Sequence, residues 1–101
     1  MNISVLTPER EIFNGPIESV SVPGVSGAFQ VLKNHAPIVS ALEEGVVSIV
    51  TGEGYYSFYN AETGEMETAQ ETGKRLQYKV DGGFIEVLNN EVSLLITAVV
   101  E

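Results

Sequence analysis

The chain contains no cysteine. That single absence removes a disulfide framework, a thiolate zinc site and a cysteine nucleophile, and thiol redox chemistry goes with them. Positive charge is scarce too: five Lys or Arg stand against fourteen Asp or Glu, a formal net charge of −9. Such a surface repels phosphate backbones and anionic headgroups, which disfavours direct nucleic-acid binding. Long apolar runs are missing as well. The longest, such as "SLLITAVV", fall far short of the roughly 20 residues a helix needs to cross a bilayer. The N-terminal "MNISVLTPERE" lacks the basic cluster and apolar core of a leader. The sequence therefore predicts a soluble chain without direct lipid insertion, so that any membrane association comes through a partner.

Helical periodicity is absent in the same way, since almost no segment keeps apolar residues at helical spacing for three turns. What is present instead is a series of short stretches rich in Val, Ile, Tyr and Phe, separated by Gly, Pro and Asn. The expected strands are "NISVLT", "EIFNGPIESVSV", "AFQVL", "VVSIVT", "YYSFYN", "RLQYKV", "FIEVLNN" and "VSLLITAVV", with "IVSAL" readable as a strand or one helical turn. Asn14-Gly15-Pro16 predicts a bulge or kink. After it, Ile17, Ser19 and Ser21 alternate with Glu18, Val20 and Val22, which leaves the inward face undecided. "PGVSG" and "KNHAP" read as turns on either side of a very short strand. Residues 61–74 carry Glu62, Glu65, Glu67 and Glu71 around one larger apolar residue, Met66, and predict a solvated hairpin or mobile loop. The fold class expected is all-β: one domain over residues 1–101, a single β-sandwich or flattened barrel of about ten short strands.

Candidate chemistry is sparse. His35, the only histidine, has no second His and no Cys with which to build a metal site, so no metal and no cofactor is expected. As a base for Ser40 or Ser26 it would need a triad, and no strand-turn-helix elbow presents a nucleophile. A histidine held by loop hydrogen bonds is the plainer reading. The glutamates form a polar stretch without the aromatic-lined cleft that glycoside hydrolysis requires. "PGVSG" leads from strand to strand, so no helix N-terminus is available for a phosphate. No catalytic residue is assigned. The residues alone leave a binding or scaffolding protein, including a stand-alone β-sandwich module for a protein or glycan, for which Tyr55, Tyr56, Phe58 and Tyr59 are the only aromatic cluster.

Three blocks in order, "LTPEREIFNG", "VPGVSGAFQVLKNHAPIVSALEEG" and "DGGFIEVLNNEVSLLITAV", resemble the N-terminal domain of the epsilon subunit of the rotary F-type ATP synthase. The resemblance covers nearly the whole chain. It implies a ten-stranded sandwich in the central stalk, bound to the gamma subunit and the ring of c subunits on the cytoplasmic face of the bacterial inner membrane. There it turns with the rotor and couples proton-driven rotation to ATP synthesis elsewhere, without catalysis of its own. It further implies ring-facing loop contacts at Ser26, Ala28, Asn34 and His35; Gly24, Gly27, Pro37, Gly45 and Gly83 are read from their own chemistry as structural turn residues. Many family members have acidic residues where this chain has Ser26 and Ala28, and a Pro-Gly where it has Lys33-Asn34. Long members continue into a helical hairpin that binds ATP in some cases; the sequence ends at Glu101, so neither that hairpin nor ATP binding is expected in these residues. The acidic stretch 61–74 is longer than the family usually has there.

Overall fold

Alternation of apolar and polar residues sets most of the strands, and the computed structural model, which describes residues 1–100, shows them as β1 (Asn2–Leu6), β2 (Glu11–Val22), β3 (Phe29–Leu32), β4 (Ile38–Leu42), β5 (Gly45–Thr51), β6 (Tyr56–Asn60), β7 (Glu65–Ala69), β8 (Arg75–Val80), β9 (Gly83–Leu88), β10 (Glu91–Ile96) and the two-residue β11 (Val99–Val100). "IVSAL" is thus a strand. The strands run β11-β8-β5-β2-β1-β10-β9-β4, with β3 on β2 and the β6–β7 hairpin also joined to β2. Two layers share β2. Its first half pairs with β1 and β6, and its second half with β3 and β5. A long, bent strand that passes from one layer to the other is what closes this all-β sandwich without a helix to cover it.

The sequence places the irregularity of β2 at Asn14-Gly15-Pro16, but pairing runs through those residues, and the register slips on either side of them. Val5 opposes Phe13 while Leu6 opposes Glu11, leaving Ile12 extra. Ile17 opposes Thr51 while Ser19 opposes Val50, leaving Glu18 extra. Each extra residue reverses the in-out alternation. Ile12 and Phe13 are therefore both buried, and Ile17 and Val20 both face the core although their separation would set them on opposite faces. Gly15 is needed for a different reason, because a Cβ there would sit 2.4 Å from the Tyr56 Cβ. The close approach lets Tyr56 stack on Phe13 with ring centroids 5.3 Å apart.

The core consists of cross-strand rows. In one layer Ile3 opposes Val92 and Val92 opposes Val87; in the next row Val5, Leu94 and Ile85 meet in the same way. All six are buried. From the facing layer Val20, Ile49, Val47 and Val80 close the core, while Leu76, Tyr78 and Val80 alternate with the more exposed Arg75, Gln77 and Lys79 as their spacing requires.

The acidic stretch is an ordered hairpin. The Asn60 side chain accepts a hydrogen bond from the Glu62 N–H at 2.9 Å, and the Gly64 N–H reaches the Asn60 carbonyl at 2.8 Å, closing the turn into β7. Beyond β7 the chain is held to β5 by Thr51, a fully buried residue. Its hydroxyl donates to the Glu71 carbonyl and accepts from the Lys74 N–H, and its backbone exchanges bonds with Gly73 and Lys74.

Candidate functional site

The connection from β2 to β4 carries the loop residues singled out from the sequence. Ser26 and Ala28 are exposed on the turn before β3, and Asn34 and His35 lie on the turn after it. Asn34 and His35 are brought together, whereas Ser26 and Ala28 sit at the other end of a four-residue strand, about 13 Å of chain at the usual strand rise. Among the described residues β3 pairs with β2 alone, so one partner can meet all four only by lying along this edge. Gly24 is buried, its carbonyl accepting the Gly27 N–H at 2.9 Å; Pro37 is exposed ahead of β4; Gly45 opens β5 beside Pro23.

His35 is half-buried and tied to its own loop. Its backbone N–H donates to the Leu32 carbonyl at 3.1 Å, and its Nδ1 lies 2.7 Å from the Ala36 carbonyl. A carbonyl only accepts, so Nδ1 is the donor in this contact. Among the described residues no group of three His, Cys, Asp or Glu side chains is placed to hold a metal ion. The neighbouring Asn34 takes a left-handed backbone, φ 66°, and is clasped from across the molecule. Its N–H donates to the Asn90 side-chain oxygen at 2.7 Å, and the Asn90 amide donates back to the Asn34 side chain at 3.1 Å.

A second surface, which the sequence did not single out, is the outer face of the layer containing β4, β9, β10 and β1. Ala41 opposes Phe84, Phe84 opposes Leu95 and Leu95 opposes Leu6, a continuous apolar row across four strands. Phe84 is 56% exposed and Leu95 50%. Val39, one alternation along β4, is 70% exposed. Scattered apolar exposure is ordinary; a contiguous row of this kind makes the face a candidate contact surface.

A concavity of about 480 Å³ lies between the turn after β1, the end of β6, Tyr78 and residues 97–99. The Arg10 guanidinium lies 4.4 Å over the Tyr59 ring at its wall. Tyr78 is pushed up from 10.0 to about 12, first by burial and then by the like charge of Tyr56, so it stays neutral and offers no base at ordinary pH. The unfolded chain ionises this phenol near 10 while the folded chain keeps its proton until about 12. Stability from this group is therefore intact below pH 10 and falls as pH rises through that window. Tyr78→Phe removes the effect: in urea unfolding at pH 9 and pH 12, the unmodified chain is expected to lose roughly 2 kcal/mol more than the variant. Parallel losses would show that Tyr78 is not the group responsible.

Comparison with known proteins matches residues 1–70 to the model for the family "ATP synthase, Delta/Epsilon chain, beta-sandwich domain". The ATP synthase epsilon chain of Leptospira borgpetersenii serovar Hardjo-bovis (strain JB197) is 38% identical over 95 residues, 94% of this chain and 59% of that protein. The epsilon chain of Chlorobaculum tepidum is 33% identical over 93 residues, 92% of this chain and 84% of that protein. This chain thus spans less than two thirds of the length of several relatives it matches. Among solved structures, a chain of the Euglena gracilis mitochondrial ATP synthase assembly comprising OSCP, F1 and c-ring superposes with TM-score 0.71 at 20% identity, covering 97% of this chain and 51% of that one. A chain of the Tetrahymena thermophila central stalk and c-ring gives TM-score 0.69 at 14% identity, covering all of this chain and 66% of that one. At these identities the two structures speak for the fold.

Proposed function

This chain belongs to the ATP synthase delta/epsilon-chain β-sandwich family, and from that premise we propose that it is a non-catalytic central-stalk subunit of an F-type ATP synthase. In this reading it binds the gamma subunit and the c-ring and couples ring rotation to ATP synthesis on other subunits. It works from the cytoplasmic face of a bacterial inner membrane, held there by the complex. Relatives named ATP synthase epsilon chain support the reading.

The observation that carries it is the outward apolar row Ala41–Phe84–Leu95–Leu6, exposed at its first three members and half-buried at Leu6. A rotor subunit must stay attached under torque, and a desolvated apolar patch on a rigid sheet supplies adhesion that does not depend on salt. The gamma subunit is its proposed occupant. The edge made by Ser26, Ala28, Asn34 and His35 is left for the ring, where the lack of an acidic residue at Ser26 and Ala28 shifts the contact from ion pairing to shape and hydrogen bonding. A glycan-binding module draws no comparable support. Tyr55 is exposed, but Tyr56 is in the core and Tyr59 is covered by Arg10, so the aromatic cluster forms no platform.

His35→Ala tests the ring contact. It removes the Nδ1 bond to Ala36 and the rest of the imidazole ring, and is expected to weaken attachment of the gamma-bound chain to c-ring vesicles by about fivefold. Proton pumping per ATP hydrolysed is expected to fall with it. Unchanged attachment and pumping would remove this loop from the ring interface.

A further inference from the structure

We propose that Asn90 is a positioning residue for the ring-facing loop, setting the geometry of Asn34 and His35 through its reciprocal bonds to Asn34; the proposal rests on the reading of that loop given above. Asn90 stands at a junction. Its carbonyl accepts the Asn2 N–H at 3.0 Å, fixing the start of β1, and its side chain accepts from the Asn34 backbone and donates to the Asn34 side chain. It also lies in the two-residue turn between β9 and β10, where Asn89 and Asn90 have φ of 52° and 62°, as a type I′ turn requires.

The loop has few other ties. Asn34 is exposed and in the left-handed region, and the backbone bond from His35 to Leu32 holds only the near side of the turn. Among the described residues, one local backbone bond and one side-chain bond, from His35 to Ala36, define the turn without Asn90. With Asn90 the loop is registered against the hairpin whose outer face bears Phe84, Leu88 and Leu95. Asparagine suits the task because one amide offers both a donor and an acceptor to the same partner residue.

Asn90→Gly separates the clasp from the turn, since an Asn-Gly pair is the preferred centre of a type I′ turn and keeps the hairpin formed. In the chain so altered, exchange of the Asn34 amide is expected to be about tenfold faster while the β9 and β10 amides change little. In the gamma-bound complex, affinity for c-ring vesicles is expected to fall roughly fivefold. Asn90→Asp should restore both readouts, because the carboxylate still accepts from the Asn34 N–H and the Asn34 amide can rotate to donate to it. Unchanged Asn34 exchange in Asn90→Gly would overturn the clasp itself. Faster exchange with unchanged ring affinity would overturn the positioning role if His35→Ala weakens that affinity. If His35→Ala has no effect either, the assignment of this loop to the ring fails, and the proposal falls with it.

Discussion

Phe84→Glu is expected to weaken binding to the gamma subunit by at least about 100-fold, since hot-spot aromatics carry several kcal/mol and a charge at their place must be desolvated on docking. Phe84 occupies the middle of the outer row, between Ala41 on β4 and Leu95 on β10. More than half of its surface is open to solvent, whereas its neighbour Ile85 is fully buried. The free chain gives up little by losing the ring, so its urea midpoint should move by less than about 1 kcal/mol equivalent. Titration of the purified variant against gamma, paired with urea unfolding, checks both parts. Undiminished affinity would place the gamma contact elsewhere on the sandwich, and a large stability loss would show that the row belongs to the core.

Gly83→Ala is expected to cost about 3–5 kcal/mol of stability, among the largest single-site effects short of losing a core aromatic. Gly83 has φ 151°, in the region open to glycine, and a Cβ there would lie 2.1 Å from the Leu95 carbonyl oxygen and 2.9 Å from the Ile96 Cα. Those atoms belong to the backbone of β10, which pairs with β9 along its whole length. They cannot yield without breaking the ladder that also positions Phe84. For a domain near 100 residues the loss corresponds to a fall in Tm of more than about 12 °C. A thermal melt within a few degrees of the unmodified chain would mean that the hairpin relaxes around the added carbon.

The alternation in "RLQYKV" was legible because it depends on neighbours in sequence. The face of "IESVSV" was not. Its answer lies in the slipped pairing at Glu18, and a one-residue slip leaves no mark on composition while reversing every side chain beyond it. "EMETA" offers no apolar alternation, and its strand is specified by pairing with β6 and by the Asn60 turn. The outer row was hidden for the opposite reason. "FIEVL" and "SLLI" are apolar on both faces, so only the packed layer shows that Ile85, Val87, Val92 and Leu94 point inward and that Phe84 and Leu95 do not.

The candidate loop residues divide along the same line. The motif containing His35 was visible as a motif, and its plainest reading, a side chain fastened within its loop, rests on residues within three positions of it. The tie between Asn34 and Asn90 spans 56 positions, and neither residue type nor spacing announces it. Asparagine at position 34 tolerates the positive φ of this turn and adds the side chain that the clasp uses.

The most direct measurement is quantitative affinity capture of the tagged chain from detergent-solubilised membranes of its own cell, with each co-purifying subunit weighed against the bait. A central-stalk role predicts the gamma subunit at one copy per chain together with the c-ring, and loss of both from the Phe84→Glu bait. Recovery of the chain as a lone monomer, or in a complex that contains neither subunit, would contradict it.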